Sequence, residues 1–179
     1  MSERPQAKPV SAPTRCGNGR TFDEIDGFAR ALPAVGRLIG VDLGARTLGL
    51  ALSDVTRMIA SPLETIRRGK FAADSARLLA LADTHGAGGL VVGLPISLDG
   101  TEGPRAQSAR AYARNLNRAS PLPILLWDER LSTVAAERIL IEADVSRRKR
   151  ALAIDKLAAT VILQNALDRM TALSRTVNG

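Results

Sequence analysis

The sequence predicts a mixed α/β sheet with helices on both faces. Two observations carry that expectation. Short apolar runs separated by Gly, Asp and Pro occupy the first part of the chain, as strands joined by tight turns do. Later apolar runs alternate with stretches of helical periodicity, the pattern of parallel strands linked by crossover helices.

Residues 1–20 are rich in Pro, Ser, Gly and Arg and carry no periodicity, so they read as a flexible tail. Thr21 and Glu24 make a capping-box pattern, and Phe22, Ile25, Ala29 and Leu32 recur at helical spacing up to Pro33. A short docking helix with its linker is expected over 21–36. Leu38 to Leu43 reads as a strand, Gly44 to Arg46 as a turn and Leu48 to Asp54 as a second strand. Met58 to Arg67 reads as a third, with Pro62 near its start, where proline is tolerated. Phe71 to Thr84 has helical spacing and ends at His85-Gly86, a glycine stop. Leu90 to Leu94 is wholly apolar between glycine and proline, as a buried parallel strand is.

Pro104 opens a helix to about Arg118 from the favoured first position. Ile124 to Trp127 is the fifth strand, and Ser132 caps a helix to Ala143. After a basic loop, Arg147 to Arg150, a long helix runs to about Ser174. The order β-β-β-α-β-α-β-α-α gives a five-stranded mixed sheet in one domain, 37–174, with a tail at 175–179.

The chain has 179 residues, 45% of them hydrophobic, enough for a sizeable core. No apolar run approaches the roughly 20 residues of a membrane span, and the N-terminus lacks a signal-peptide core. A cytoplasmic protein without a membrane partner is expected. The single cysteine, Cys16, cannot form an internal disulfide, and with one histidine the chain cannot build a zinc site on those ligands. Net charge is +7 and the isoelectric point about 10.7, which favours a polyanionic partner. Aromatic content is only 3%, so few platforms exist for stacking bases; phosphate contacts and shape are expected to dominate.

Three acidic positions are uncomfortable as structure. Alternation along the first strand puts Asp42 on one face with Leu38 and Gly40, and Gly40 leaves room beside the acid. Asp128 and Glu129 end the fifth strand and point to opposite faces, so one of the two is expected to share a site with Asp42. The C-terminal ends of parallel strands are where open α/β sheets place ligands. Asp155, in RALAIDKLAAT, has Ala151, Leu152, Ala158 and Ala159 as helical neighbours, a small apolar face suited to close packing on a sheet. A carboxylate there is costly unless it is paired or bound to a cation. Arginine pairing would satisfy any one acid; three that converge need a shared counter-charge. Hard oxygen ligands without His or Cys suit Mg²⁺ or Mn²⁺, ions that serve phosphodiester hydrolysis.

The stretches GVDLGARTLGLALSD, VVGLPISLDGTEGPRAQSARAYARNL, LWDERLSTVAAERIL and IDKLAA resemble the YqgF/RuvX family. The match spans about Arg37 to Asp168, and four motifs in order make it specific. The resemblance implies a ribonuclease H-like fold and a divalent-metal nuclease related to Holliday-junction resolvases, with a role in maturing the 5′ end of pre-16S ribosomal RNA. Structured RNA or branched DNA would be the partner, and the protein a monomer or weak homodimer. By position Asp42, Glu129 and Asp155 match the family's acids and are the expected catalytic and metal-holding residues. Asp128, the other acid of the DER motif, is the alternative ligand.

Cations nearby are candidates for the nucleic-acid backbone. Arg46, on the first hairpin turn, is placed to hold a phosphate or to pair with Asp42 or Asp54. Arg130 ends the DER motif. Arg147, Arg148, Lys149 and Arg150 precede the Asp155 helix and are read as substrate contacts. Arg110, Arg114 and Arg118 form an i, i+4, i+8 stripe read as an exposed face. The glycine-rich segment from Gly93 to Gly103 leads into a helix N-terminus, where free N–H groups attract anions. His85 reads as a loop residue and Trp127 as core.

Two rival functions fit parts of the pattern. A non-catalytic RNA-binding assembly factor would keep the acids as structure. An ATP-binding protein of the sugar-kinase and actin type shares the GxDxG look, but that fold needs two such domains to close on a nucleotide, and this chain is too short.

Overall fold

The structure is a computed structural model; it describes residues 19–131 and 147–177, with side chains from 19 to 131 and from 156 to 175. Strands β2 (Arg37–Leu43), β3 (Thr47–Ser53) and β4 (Ala60–Arg67) make the antiparallel meander. Strands β5 (Ala87–Leu94) and β6 (Ile124–Asp128) add in parallel beside β2. Helices α2 (Phe71–His85) and α3 (Pro104–Ala119) make the connections into β5 and β6, and α4 (Arg147–Val177) closes the described chain. The expected helix over Ser132 to Ala143 and residues 1–18 of the tail expected over 1–20 lie outside the described residues, while Gly19 and Arg20 bond the backbone of Asn117 and Ile124.

The sheet has six strands, in the order β1-β6-β5-β2-β3-β4, where the sequence predicted five. The extra strand is β1 (Thr21–Phe22), which pairs in parallel with β6 and precedes helix α1 (Ile25–Ala31). The capping box read at Thr21 and Glu24 does not form. Asn117 of α3 donates to the Thr21 hydroxyl, and Glu24 is the N-cap without a side-chain cap bond. A long-range partner thus outcompetes the local cap, and the β6 edge takes up the freed backbone. α1 docks through Phe28, which is fully buried and meets Phe22 edge-on at 6.2 Å.

β4 starts two residues later than expected because Met58 and Ile59 donate their N–H groups to Asp54 in the preceding turn, both at 2.8 Å. Pro62 falls at an irregularity in the β3–β4 pairing, opposite Ala51, where no ladder donor is required of it. Gly86 ends α2 with φ of 64°, the left-handed geometry that glycine adopts most cheaply.

Alternation divides the core. Ile39, Val41 and Leu43 of β2 face α2 and α3 together with Leu50, Leu90 and Val92. Leu38 faces α4 with Ala51, Val91, Leu125 and Trp127, against Ala159, Ile162, Leu163, Ala166 and Leu167. Gly40 and Asp42 belong to that second face by the same alternation. A Cβ on Gly40 would stand 2.7 Å from the Leu163 Cβ and 2.8 Å from the Ala159 carbonyl oxygen. The clearance at Gly40 is therefore filled by the helix, which comes down onto the strand backbone.

The direction of α4 follows from its contacts. Gln164 bonds Met58 O at 3.0 Å and accepts from Ala60 N at 2.8 Å, at the start of β4, while Ala159 and Leu163 lie over Gly40. The later turns of α4 lie at the N-terminal ends of β2 and β4, and its earlier turns toward their C-terminal ends. Asp155, in the turn before Ala159, is thereby carried to the end of β2 that bears Asp42. Among the described residues no helix is long and apolar enough to cross a membrane.

Candidate active site

Asp42 lies near the end of β2 between two strands that present glycine beside it. It pairs with Gly49 of β3. On the other side Val41 pairs with Val92 of β5, so the next residue, Gly93, flanks Asp42 on the α4 face. An acid in the middle of a sheet is thus bordered by two positions without side chains.

Glu129 completes the arrangement. It begins the short 3₁₀ turn Glu129–Leu131 that follows β6. Its carboxylate lies over Gly93: a Cβ there would be 2.6 Å from Oε1, and 2.6 Å from Ile162 Cδ1 of α4. The two acids are close enough to sense each other. Burial, then the negative charge of Asp42, push the Glu129 carboxyl above its usual value, Asp128 adds to the rise, and Arg105 opposes it.

Asp128 is oriented differently. Arg130 binds its carboxylate through Nε at 3.0 Å and Nη2 at 2.6 Å, and the Arg130 backbone N–H donates to it at 3.0 Å. This bidentate pair holds the Asp128 carboxyl below the usual range. The β6 terminus therefore gives one acid to the α4 face, Glu129, and commits the other to an arginine. For Arg130 the same bond means that Nε and Nη2 are already used; Nη1 reaches toward Gly100 in the loop after β5.

Asp155 lies in α4, but its side chain is outside the described residues. Among the described residues no three His, Cys, Asp or Glu side chains form a group able to hold a metal. Arg147 to Arg150, expected as a loop, form the first turn of α4. Arg and Lys are good helix formers and nothing from 147 to 155 breaks the pattern, so the helix starts earlier than a charge run suggests. Their side chains are outside the described residues.

Arg46 is exposed on the β2–β3 turn. Asp54, one partner considered for it, is at the opposite end of the sheet and is occupied. It accepts from Thr56 Oγ1 and from the N–H groups of Thr56, Met58 and Ile59, which hold its carboxyl at about 2. Arg110, read as part of an exposed stripe, is instead an internal brace. It binds Glu102 at 2.7 Å and Asp23 at 2.7 Å, tying the loop after β5 and the β1–α1 segment to α3. Arg114 and Arg118 are exposed as expected. His85 is the last residue of α2, far from the acids, and Trp127 is buried.

Two cations were missed by sequence reasoning. Arg105 stands in the first turn of α3 and supplies the positive charge that opposes the rise at Glu129. The signal was present: Pro104 fixes where α3 begins, so the next residue must stand at the loop end of the helix. Arg68 joins the Arg46 turn, donating Nη1 to Gly44 O at 2.7 Å and its N–H to Arg46 O at 2.9 Å. Its location depends on the β3–β4 register, which no local motif announces.

A mixed sheet in this order, with acids brought to neighbouring strand ends under a long C-terminal helix, defines a ribonuclease H-like chain. The chain belongs to the RuvX family: the family profile, described as Holliday junction resolvase, matches residues 36–169. A relative from Paracoccus denitrificans (strain Pd 1222), named "Putative pre-16S rRNA nuclease", is 57% identical over 154 residues, covering 86% of this chain and 98% of that one. A relative of the same name from Rhodobacter capsulatus is 58% identical over 151 residues, covering 84% of this chain and 95% of its own. Among solved structures, T. thermophilus RuvC in complex with Holliday junction substrate superposes with a TM-score of 0.51 at 15% identity, over 75% of this chain and 96% of that one. That likeness is one of fold.

Proposed function

We propose that this chain is a divalent-metal-dependent endonuclease that cuts structured RNA, with the 5′ region of pre-16S ribosomal RNA as its substrate, in the cytoplasm. The observation that carries this reading is that Glu129 lies over Gly93, beside Asp42, close enough for the two carboxylates to interact. Two neighbouring carboxylates make a donor set of hard oxygens, which fits Mg²⁺ or Mn²⁺. Asp42 and Glu129 would hold the ion, with Asp155 as third ligand from α4. A bound ion of this kind would supply an activated water and charge stabilisation at the leaving oxygen.

The chain's own residues do the rest. Glu129, with its raised affinity for a proton, would have to release it to hold a cation, which would couple ion binding to pH. Arg105 keeps the acid pair from accumulating uncompensated charge. Arg46 on the first hairpin turn and Arg68 bonded to that turn, with Arg147 to Arg150 at the start of α4, would hold the phosphate backbone. The names of the relatives support the RNA substrate.

Branched DNA is the second reading, favoured by the description of the matching family profile. Resolving a junction would need two copies with sites at matched spacing, whereas cutting RNA needs only the monomer. The test is side-by-side incubation with pre-16S RNA and a four-way junction in Mg²⁺ or Mn²⁺. Metal-dependent cleavage of the RNA that is lost in Asp42→Asn, with the fold intact by circular dichroism, is expected. Equal products from parent and variant, or salt-sensitive binding without turnover, would overturn it in favour of a non-catalytic RNA-binding role.

A further inference from the structure

The loop between β5 and α3 carries a feature that the acid site does not explain. Ser97 to Gly100 is a β-turn, closed by Gly100 N to Ser97 O at 2.9 Å and by Ser97 N to Thr101 O at 3.0 Å. Asp99 braces it, accepting from Thr101 N at 2.9 Å and Thr101 Oγ1 at 2.7 Å. Gly100 takes the left-handed φ of 85° that lets the turn close. Beyond the turn the loop has two further neighbours. Glu102 is held by Arg110, and Arg130 Nη1 lies 3.8 Å from the Cβ position of Gly100.

Leu98 sits at the first corner of this turn and is 95% exposed. A single exposed leucine is ordinary. A leucine at the corner of a turn braced by four hydrogen bonds is not, because turn corners favour Pro, Asn, Asp, Ser and Gly. Its placement adds to that. The loop leaves the C-terminal end of β5, whose Gly93 underlies the Glu129 carboxylate, and Leu98 is reached within about 17 Å of chain from Gly93. Leu131, 62% exposed, follows Arg130, whose Nη1 lies by the Gly100 end of this loop. Arg105 and Arg130 flank it with positive charge.

We propose that Leu98 is an apolar wedge that enters the base stack of the nucleic acid beside the acid site, unstacking a step while the surrounding arginines hold the backbone. Apolar side chains of this kind part base steps at a cost of a few kcal/mol per step, offset by added protein contact. A rigid support is needed for that work, since a mobile loop would yield before the bases did. With a spacing of about 3.4 Å per nucleotide, the wedge falls within about five nucleotides of the cut bond. The inference rests on the nuclease reading for its substrate and assigns it a conformation: distorted at the site, not merely bound there.

The test uses the full chain with the Asp42→Asn change, to separate binding from cleavage, and pre-16S-type RNA hairpins carrying 2-aminopurine at successive positions within five nucleotides of the cut. Binding is followed by anisotropy and unstacking by 2-aminopurine fluorescence. A fluorescence rise that Leu98→Ala removes and Leu98→Phe restores, with affinity changed less than about threefold, is the expected result. With Asp42 intact, Leu98→Ala should slow cleavage of a fully paired hairpin about tenfold, but not of one carrying an unpaired base at that step. An undiminished fluorescence rise in Leu98→Ala overturns the wedge and leaves the nuclease reading standing. Failure of the parent protein to bind the hairpins overturns both. Leu98 is exposed, so its replacement does not threaten the fold.

Discussion

The Glu129 carboxylate rests against the α-carbon of Gly93, in space that any side chain at that position would take, 2.6 Å from the Cβ site. One acid's position is therefore set by another residue's lack of a side chain. Gly93→Ala is expected to displace Glu129 and to lower metal-dependent cleavage by about tenfold or more, with a stability loss of about 1–3 kcal/mol from overpacking against Ile162. Cleavage assays paired with urea unfolding would separate the two effects. Unchanged cleavage in Gly93→Ala would mean that the carboxylate position does not matter for the reaction.

Glu129 also predicts how stability responds to pH in metal-free protein. Its folded-state pKa is raised above the ordinary 4.5, so over the interval above 4.5 the folded chain keeps a proton that the unfolded chain has lost. Stability contributed by this group is full below that interval and declines as pH rises through the folded value. Glu129→Gln should flatten this decline, and Mg²⁺ should reverse it by binding the ionised form. Urea midpoints from pH 4 to 8, with and without Mg²⁺, measure both.

Asp54 acts in the opposite direction. Its carboxyl is held at about 2, below the ordinary 3.8, chiefly by the Thr56 hydroxyl and the Ile59 N–H. Its contribution is present above 3.8 and lost as pH falls through about 2. Asp54→Asn should weaken the acid limb of stability and loosen the β3–β4 turn, seen as faster amide exchange at Met58 and Ile59. Cleavage at neutral pH should be spared, since Asp54 lies at the far end of the sheet.

Arg105 is predicted to tune the acids without touching them. Arg105→Gln removes the charge that opposes the rise at Glu129, so the rising limb of the pH–cleavage profile should move to higher pH. Arg105→Lys should move it most of the way back. A uniform fall in rate at every pH, with the limb unmoved, would leave Arg105 a role in backbone binding alone.

The sequence reading was strongest where one residue type answers one physical need. The strand at Arg37–Leu43, the glycine stop of α2 and the proline start of α3 are all local decisions, and all appear in the structure. It failed where a distant partner decided. Thr21 and Glu24 form a sound capping box by spacing, but Asn117 claims the Thr21 hydroxyl, and the β6 edge draws Thr21 and Phe22 into the sheet. Arg110 belongs to an evenly spaced stripe, yet Glu102 and Asp23 converge on it from other segments. The choice between Asp128 and Glu129 could not be made from alternation, because either face was available. What separates them is Arg130, which takes Asp128, and Gly93, which makes room for Glu129.

Gly40 has a consequence for how the protein can change. Leu163 and the Ala159 carbonyl sit where its side chain would be, so α4 is seated on β2 at a depth set by a single hydrogen atom. Asp155 is one turn earlier in the same helix. The distance from that turn of the helix to the end of β2 is therefore set by the seat. A substitution at Gly40 would act as a shim: it would lift the helix and detune the proposed site while Asp42, Glu129 and Asp155 all remained in the sequence, so keeping every acid would not by itself keep the proposed chemistry.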